Sequence, residues 1–338
     1  MNREKEQYSK FALVQEMMDS VDVVRTFNAE RTKRIAREIQ SVGRLMLTGE
    51  GSSRLFPAKN AIRKALTWGI DLQIVTDGSR QAAQYDLDEF AVFCASNSGR
   101  TKEIVTLAKQ LAEIGNDHCY ALTANAGTVL EQACKQSFVL TCGWEKAVAA
   151  TKSVVEQALF YESMLWHLKG YDGASKLDTL ADHMKEALTM SVDKELINAA
   201  VQATTIYFAG YNDGVAEELT LKTNEITRRK SDYLEGTYAV HGIEEVMEAD
   251  DVVIVIEPIE DEISKFKEVL VDGVGLKVIA IADHQTPFPT IRVPEAGELA
   301  PFVYLCAGWN VLVEIGLALN INLDKPERAR KVGNEFID

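Results

Sequence analysis

The chain has 338 residues, of which 46% are hydrophobic, and this composition excludes an intrinsically disordered protein. Its formal net charge of −15 argues against a nucleic-acid-binding protein, because no basic surface is available to displace the counterions of a phosphate backbone. The length favours two domains of ordinary size or one large domain.

The amino-terminal part of the chain is predicted to be helical. Its first residues, MNREKEQYSK, are charged and lack the apolar core of a signal peptide, so we expect a cytoplasmic protein. Leu13, Met17, Val21 and Val24 follow one another at helical spacing. Residues 1–40 are therefore predicted to form helices that precede the first domain.

The first domain, residues 41–170, is predicted to alternate strands and helices. The segment RLMLTGEGSSRLFPAKNAIRKALTWG has the pattern of a strand, a glycine turn and a helix. The segment FAVFCASNSGRTKEIVTLAKQLAEIG has the same pattern, with Gly115 placed to end its helix. Apolar strands without polar alternation, each followed by a helix, indicate a parallel sheet that is covered on both faces.

The same order of elements returns over residues 195–322. The segments TIYFAGYNDGVAEELTLKTNEITRR, DDVVIVIEPIEDEISKFKEVLVDGVG and LKVIAIAD again pair apolar strands with helical patterns. We therefore predict an α/β fold with two tandem, doubly wound parallel-sheet domains of the flavodoxin-like type. A junction is expected between residues 170 and 195, and residues 323–338 form a carboxyl-terminal tail.

Two further patterns bear on membranes and metals. The apolar stretch VYLCAGWNVLVEIGLAL is interrupted by Glu314 and is too short on either side to span a bilayer. The five cysteines are widely spaced in sequence, with no CxxC or Cys/His motif. We therefore expect free thiols, no metal site and no membrane partner.

The loop SNSGRT leads from a predicted strand into a predicted helix. Such a loop presents unpaired backbone N–H groups and the positive end of a helix dipole, a combination that binds phosphate. Ser96, Ser98 and Thr101 add hydroxyl groups, and Gly99 permits close approach of the backbone. The alternative is that Ser98 or Thr101 only caps the helix.

Two other loops help to decide between these interpretations. A second hydroxyl-bearing turn, GEGSS, follows the first predicted strand on the same sheet edge and favours phosphate binding. In the second half, the corresponding loop EPIEDE carries Glu257, Glu260 and Asp261, which would repel an anion. Only the first half is therefore predicted to bind phosphate.

The segments GEGSS, SNSGRT and EKAVAATKS together resemble the sugar isomerase (SIS) family, in tandem, over nearly the whole chain beyond the amino-terminal helices. The likeness is to the isomerase half of glucosamine-6-phosphate synthase and to stand-alone aminosugar-phosphate deaminases and fructosamine-6-phosphate deglycases. The resemblance implies that a hydroxyl-bearing loop holds the sugar phosphate. The residues to which it assigns that role are Ser53, Ser96, Asn97, Ser98 and Thr101. The stretch VAATK resembles the family's substrate-contacting turn, which places Val148 and Ala150 against the sugar.

The resemblance also implies catalytic residues. LKTNEITRR places Glu225 where the family has its proton-transferring carboxylate, and TYAVHG places His241 at the ring-opening histidine. Because that histidine comes from the neighbouring subunit in family dimers, a homodimer is expected. In the tail, Lys331 matches the family lysine that reaches the sugar carbonyl. The sequence departs from the family pattern at Ile243, where the family usually has a proline.

The resemblance implies a phosphosugar isomerase, deaminase or deglycase that acts on a hexose 6-phosphate or aminohexose 6-phosphate without a cofactor. Proton transfer between C1 and C2 requires a base with a tunable pKa, which suits Glu225; its ordinary interpretation is a solvated helix charge. The alternative is a non-catalytic regulator that binds sugar phosphates. A dinucleotide-dependent dehydrogenase also fits alternating strands and helices, but GEGSSR lacks the third glycine of GxGxxG.

Overall fold

The structure is a computed structural model that describes residues 1–337. It contains two five-stranded sheets, and the strand pairs in both sheets are parallel. The strands β1 to β10, in chain order, are Arg44–Gly49, Gln73–Gly78, Ala91–Ser96, Cys119–Thr123, Gln136–Val139, Thr205–Gly210, Lys230–Glu235, Val252–Ile256, Lys277–Ala282 and Thr290–Arg292.

The two sheets have the same strand order. The first is ordered β2-β1-β3-β4-β5, and the second, taken in the same direction, is β7-β6-β8-β9-β10. Each sheet therefore has its first strand inside and its second strand at an edge, which is the flavodoxin-like arrangement. The predicted pair of doubly wound parallel sheets is confirmed.

Helices connect the strands, as the alternating sequence pattern predicts. The α-helices α1 to α13, in chain order, are Glu6–Ser9, Ala12–Arg25, Lys33–Val42, Leu55–Thr67, Ser79–Ala82, Lys102–Glu113, Val129–Ala133, Lys152–Lys169, Leu177–Thr189, Lys194–Gln202, Val215–Lys222, Ile263–Phe266 and Ala300–Ala318. Two of them continue as π-helical turns, Thr223–Thr227 after α11 and Lys267–Val274 after α12.

The first sheet is buried on both faces. Phe93 in β3 packs with Phe160 and Tyr161 of α8 on one face. The next residue, Cys94, packs on the other face with the apolar side chains of α6, such as Ile104. Successive side chains of a strand point to opposite faces, so a strand that is covered twice must be apolar throughout.

The sequence analysis expected the apolar stretch near the end of the chain to be too short to span a bilayer, because Glu314 interrupts it. In the structure the stretch forms one continuous helix, α13, that runs through Glu314. With its preceding turn it covers Gly297–Ala318, and it is long and apolar enough to cross a membrane by length and composition. However, 94% of its most apolar window is buried inside the protein, where α13 packs against α11 and β9. The burial of this helix in the core explains its apolar sequence.

The chain forms two compact units, each of which takes in distant segments of sequence. The second-sheet unit comprises Met1–Val21, Ala147–Ala149 and Thr179–Glu327. In this unit the N–H groups of Ala12 and Leu13, at the start of α2, donate to the carboxylate of Asp324 at 3.0 and 2.7 Å. A carboxylate at this position satisfies free N–H groups and interacts favourably with the helix dipole.

The first-sheet unit comprises Asp22–Lys146, Ala150–Asp178 and the tail from Arg328 onward. The tail thus packs with the sheet that carries the SNSGRT loop. Helix α9, in the predicted junction, is more than a polar linker, because it buries Leu180, Met184 and Leu188. The domain limits drawn from the sequence remain a proposal.

Candidate active site

The SNSGRT loop brings three hydroxyl groups together at the carboxyl end of β3. The Oγ atom of Ser96 lies 3.2 Å from Oγ1 of Thr101 and 3.5 Å from Oγ of Ser98. The N–H of Gly99 donates to Ser96 Oγ at 3.1 Å, and the N–H of Arg100 donates to Ser98 Oγ at 3.2 Å. Thr101 occupies the N-cap position of α6, but within the described residues its side chain makes no capping hydrogen bond. Capping alone therefore does not account for its hydroxyl group.

Gly99 gives this loop its tight shape. Its φ of +62° lies in the left-handed region, and a Cβ atom added there would be 2.4 Å from the side chain of Thr128. The loop is held from the other side by hydrogen bonds to its carbonyl groups. The N–H of Leu130 donates to the carbonyl of Gly99 at 3.1 Å, and Nδ2 of Asn125 donates to the carbonyl of Asn97 at 2.9 Å. The segment between β4 and β5 therefore supports the loop directly.

The GEGSS turn lies at the same edge of the first sheet. Gly49, the last residue of β1, is paired with Ala95 of β3. A Cβ atom at position 49 would lie 2.8 Å from the carbonyl oxygen of Ala95, so only glycine fits this approach. The following turn, Gly51–Ser53, carries the half-buried Ser53. Since β1 and β3 are neighbours, Ser53 and Ser96 lie at the ends of adjacent strands.

Glu145 links the SNSGRT loop to the VAATK turn. This carboxylate is fully buried, and its Oε1 accepts a hydrogen bond from the N–H of Thr151 at 2.7 Å. Its Oε2 accepts from Oγ of Ser153 at 2.7 Å and from Nδ2 of Asn97. The same Nδ2 group donates to Ser153 Oγ at 2.9 Å. The sequence analysis assigned no role to Glu145, because its contact with Asn97 joins residues that are distant in sequence.

Lys331 belongs to this network. Its Nζ atom lies 3.7 Å from Oε2 of Glu145, and its side chain is only 18% exposed. A buried carboxylate requires a compensating charge or several hydrogen bonds, and Glu145 has both. The structure thus brings Lys331 next to the group that holds Asn97.

The tail strap, residues 331–337, runs past the amino-terminal end of α6. The carbonyl of Asn334 accepts a hydrogen bond from the N–H of Lys102 at 3.0 Å, and the N–H of Phe336 donates to the carbonyl of Arg100 at 2.8 Å. The Phe336 ring packs on the first-sheet core, with Nζ of Lys109 4.2 Å from its centroid. These contacts fix the segment that carries Lys331.

Val148 and Ala150, the two residues of the VAATK turn that are predicted to contact the sugar, are half-buried. The N–H of Val148 donates to the carbonyl of Asp324 at 3.1 Å within the second-sheet unit. Ala150 belongs to the first-sheet unit and lies one residue before Thr151, the residue that is bound by Glu145.

Glu225 lies in the π-helical turn that extends α11. Its carboxylate is 28% exposed and pairs with Nζ of the fully buried Lys222 at 2.7 Å. Lys222 also pairs with the buried Glu218 at 3.2 Å. Burial disfavours the ammonium charge, but the carboxylates of Glu218 and Glu225 outweigh it and raise the pKa of Lys222. The sequence analysis missed Lys222; a lysine three residues before a candidate base on one helix was the available signal.

His241 is exposed and follows the short helical turn Tyr238–Val240. Within the described part of the chain, no hydrogen bond or ion pair joins His241 to Glu225. The two predicted catalytic residues of the second-sheet unit are therefore not brought into direct contact in a single chain.

Three of the five cysteines lie close together in space. All five are free thiols, as predicted. The sulfur atoms of Cys94, Cys119 and Cys134 are all within 4.8 Å of one another, although these residues are far apart in sequence. The pairing of β3 with β4 brings Cys94 and Cys119 together, and the N–H of Lys135, the neighbour of Cys134, donates to the carbonyl of Cys119.

Comparison with known sequences gives a partial match. No protein-family model matches the chain. Over 235 residues it is 25% identical to the isomerizing glutamine–fructose-6-phosphate aminotransferase of Clostridium perfringens. This match covers 64% of the chain and 38% of that relative, so the chain corresponds to less than half of the relative's length.

Comparison with solved structures gives matches over almost the whole chain. The tagatose-6-phosphate ketose/aldose isomerase of Escherichia coli has a TM-score of 0.77 and 17% identity, with 96% of this chain and 99% of that chain covered. The carboxyl-terminal domain of the glucosamine-fructose-6-phosphate aminotransferase of Francisella tularensis has a TM-score of 0.76 and 16% identity, with 95% and 100% covered. The glucosamine-6-phosphate deaminase of Thermotoga maritima has a TM-score of 0.72 and 16% identity, with 95% and 99% covered.

Proposed function

Because the chain is homologous to part of an isomerizing aminotransferase and shares the fold of SIS-family isomerases and deaminases, we propose that it is a phosphosugar enzyme. Its substrate is a hexose 6-phosphate or an aminohexose 6-phosphate, such as glucosamine 6-phosphate or fructosamine 6-phosphate. The observation that carries this proposal is the cluster of three hydroxyl groups at the start of α6, joined through Asn97 and Glu145 to Lys331.

The phosphate binds at the SNSGRT loop. Ser96, Ser98 and Thr101 donate hydroxyl hydrogens to its oxygens, and the amino-terminal end of α6 favours the negative charge. Ser53 adds a hydroxyl from the adjacent strand end, and Asn97 orients the loop through Glu145. Val148 and Ala150 line the sugar. A site of this kind needs no net positive charge on the protein, which agrees with the acidic composition.

Proton transfer falls to the residues of the second-sheet unit. His241 moves a proton to the ring oxygen and opens the sugar, and Glu225 then takes a proton from one carbon and returns it to the neighbouring carbon. Lys222 supports the ionised carboxylate of Glu225 through their ion pair. Lys331 polarises the sugar carbonyl, or forms an imine with it when an amine is expelled.

The enzyme works as a cytoplasmic homodimer without a cofactor. The exposed position of His241, away from direct contact with Glu225, supports a contribution of His241 to the site of the neighbouring subunit. Neither a nucleic acid nor a membrane is required as a partner.

One observation favours a second candidate function, a non-catalytic sensor of sugar phosphates. The carboxylate of Glu225 is already engaged by a buried lysine, as a purely structural charge would be. A sensor would use the hydroxyl loop for binding and leave Glu225 to stabilise α11.

An assay for product formation distinguishes the phosphosugar enzyme from the non-catalytic sensor. Glucosamine 6-phosphate, fructosamine 6-phosphate and plain hexose 6-phosphates are incubated with the chain, and products are identified by mass spectrometry. We expect one of them to be converted and Glu225→Gln to lower kcat by about 100-fold or more. Binding of glucose 6-phosphate to this variant should stay unchanged.

Glu248→Gln, which changes an exposed glutamate in the same unit, is the matched control and should keep full activity. Binding without conversion of any substrate would favour the sensor. Full activity of Glu225→Gln would show that another group moves the proton.

A further inference from the structure

Three thiols that the proposed reaction does not use lie in or beside the first sheet, near the SNSGRT loop. Cys94 is in β3, two residues before Ser96; Cys119 begins β4; and Cys134 directly follows α7. The sulfur of Cys119 lies 3.5 Å from that of Cys134 and 4.0 Å from that of Cys94. Cys94 and Cys119 are buried, whereas Cys134 is partly exposed. A small molecule therefore meets the cluster at Cys134.

The surroundings favour a neutral product of these thiols over a bound metal ion. The cluster is packed among apolar side chains that include Ile104, Val105 and Leu130. A divalent ion held by three thiolates would keep a net negative charge in this core, which is unfavourable in an apolar environment. A disulfide carries no charge. The loss of two protons and two electrons therefore suits this site better than metal coordination.

Exposure identifies the first thiol to react. Cys134 is partly exposed, whereas Cys94 and Cys119 are buried. The S–H group of Cys119 donates to the sulfur of Cys134 at 3.5 Å, so the two sulfur atoms already face each other. Cys134 is thus the thiol that a peroxide reaches first, and Cys119 is the neighbour that can complete a bond.

We propose that a hydroperoxide converts Cys119 and Cys134 into a reversible disulfide, and that this modification weakens phosphate-ester binding at the SNSGRT loop. The sulfur of Cys134 attacks one oxygen of hydrogen peroxide and gives up its proton, the O–O bond breaks, and the departing hydroxide takes up that proton to become water. Cys134 is then a sulfenic acid. The sulfur of Cys119 displaces its hydroxyl group, which leaves as water with the proton of Cys119. Two thiols lose two electrons, and peroxide gains both.

The segment between the two cysteines connects this bond to the loop. Residues 120–133 contain Asn125 and Leu130, which donate hydrogen bonds to carbonyls of the loop, and Thr128, which packs against Gly99. A disulfide requires the sulfurs to approach to about 2.05 Å. Because Cys134 directly follows α7, this movement displaces α7 and disturbs its contacts with the loop.

Peptide mapping tests the modification. Reduced full-length protein is treated with hydrogen peroxide, the remaining thiols are alkylated, and the digest is examined by mass spectrometry. We expect a peptide pair joined through Cys119 and Cys134 that dithiothreitol separates. Cys119→Ser should stop at a sulfenic acid on Cys134, which dimedone traps. Cys94→Ser, which removes the third thiol of the cluster, should still form the disulfide.

Two results would overturn the modification. One is full alkylation of Cys119 and Cys134 after peroxide treatment. The other is a disulfide that joins Cys94 to either of them in the wild-type chain.

A binding measurement tests the coupling, which rests on the proposed function. The Kd for glucose 6-phosphate, measured by calorimetry, should rise about fivefold or more on oxidation, the lower range of coupling between protein sites. Cys134→Ser should show no such rise. Equal Kd values for the reduced and oxidised wild-type protein would refute the coupling.

If the proposed phosphosugar function is wrong, the experiments give a result that differs from failure of the coupling. In that case the reduced protein does not bind glucose 6-phosphate, but the peptide map still decides whether the disulfide forms. The coupling is then measured by amide hydrogen exchange of residues 96–101, which should become faster on oxidation. Unchanged exchange would refute it.

Discussion

Gly99 is the residue at which the proposed phosphate site has least room for change. Its left-handed φ and the contact with Thr128 both exclude a side chain. Gly115 also has a left-handed φ, +79°, but nothing lies within 4 Å of the Cβ position there. The two glycines thus separate the cost of backbone conformation from the cost of crowding.

We expect Gly99→Ala to destabilise the protein by about 2–4 kcal/mol, since it combines about 1–2 kcal/mol for a left-handed alanine with a further penalty for overpacking. Gly115→Ala should cost only the conformational part. Urea unfolding measures both, and calorimetry with glucose 6-phosphate should show weaker binding for Gly99→Ala alone. Equal losses of stability and unchanged binding in both variants would mean that Thr128 moves aside without affecting the loop.

At this scale, the sequence predicts some site residues and misses others for a physical reason. Ser96, Ser98 and Thr101 are found because their hydroxyl groups lie in one short loop. Glu145 is missed because two of its partners, Asn97 and Lys331, are far away in sequence. The significance of a buried polar residue depends on what the fold places around it.

The tail strap shows how a single segment can position a side chain. It is anchored by backbone hydrogen bonds to Lys102 and Arg100 and by the half-buried ring of Phe336. Lys331 lies at its beginning, beside Glu145. If the ring is removed, the strap loses an apolar anchor while the sheet beneath remains intact.

We expect Phe336→Ala to weaken strap docking by about 1–2 kcal/mol, the value of burying part of a phenylalanine side chain. Because the strap opens locally, the midpoint of global unfolding should hardly change. Hydrogen exchange at Lys102 should become faster, and kcat should fall because Lys331 is less often in place. Ile337→Ala is the control, since Ile337 is 87% exposed and should leave both readouts unchanged. If Phe336→Ala keeps the wild-type kcat although the strap opens, Lys331 has no role in the reaction.

Elements differ in how well the sequence predicts them. Continuous apolar runs identify the central strands of both sheets, because strands buried on both faces have no polar positions. The π-helical turn after α11 is not predicted, since a single extra residue in a helical turn leaves the apolar spacing almost unchanged. Composition also does not tell whether α13 is a core helix or a membrane helix, because a fully buried core helix and a membrane helix have similar sequences.

At the scale of the whole molecule, the proposed homodimer makes a specific claim about where each active site gets its parts. If His241 serves the site of the neighbouring subunit, Glu225→Gln and His241→Ala damage different sites when they are combined in one dimer. Each variant alone should be inactive.

Co-expression of the two variants should then restore activity to about one quarter of the wild-type level, because half of the dimers are mixed and each has one intact site. A tag on each variant allows the mixed dimers to be purified and assayed directly. Activity that stays at the background level in purified mixed dimers would show that Glu225 and His241 act within one chain.

The carboxylate of Asp324 at the start of α2 has a consequence for how the chain is made. The two ends of this contact are 312 residues apart. At a synthesis rate of about 5–20 residues per second, α2 waits tens of seconds on the ribosome before its partner residue exists. During that time the apolar residues of α2 have no final packing surface, so the nascent chain depends on chaperones or on temporary contacts. A stalled ribosome therefore leaves one of the first helices to be synthesised as one of the last elements to be completed.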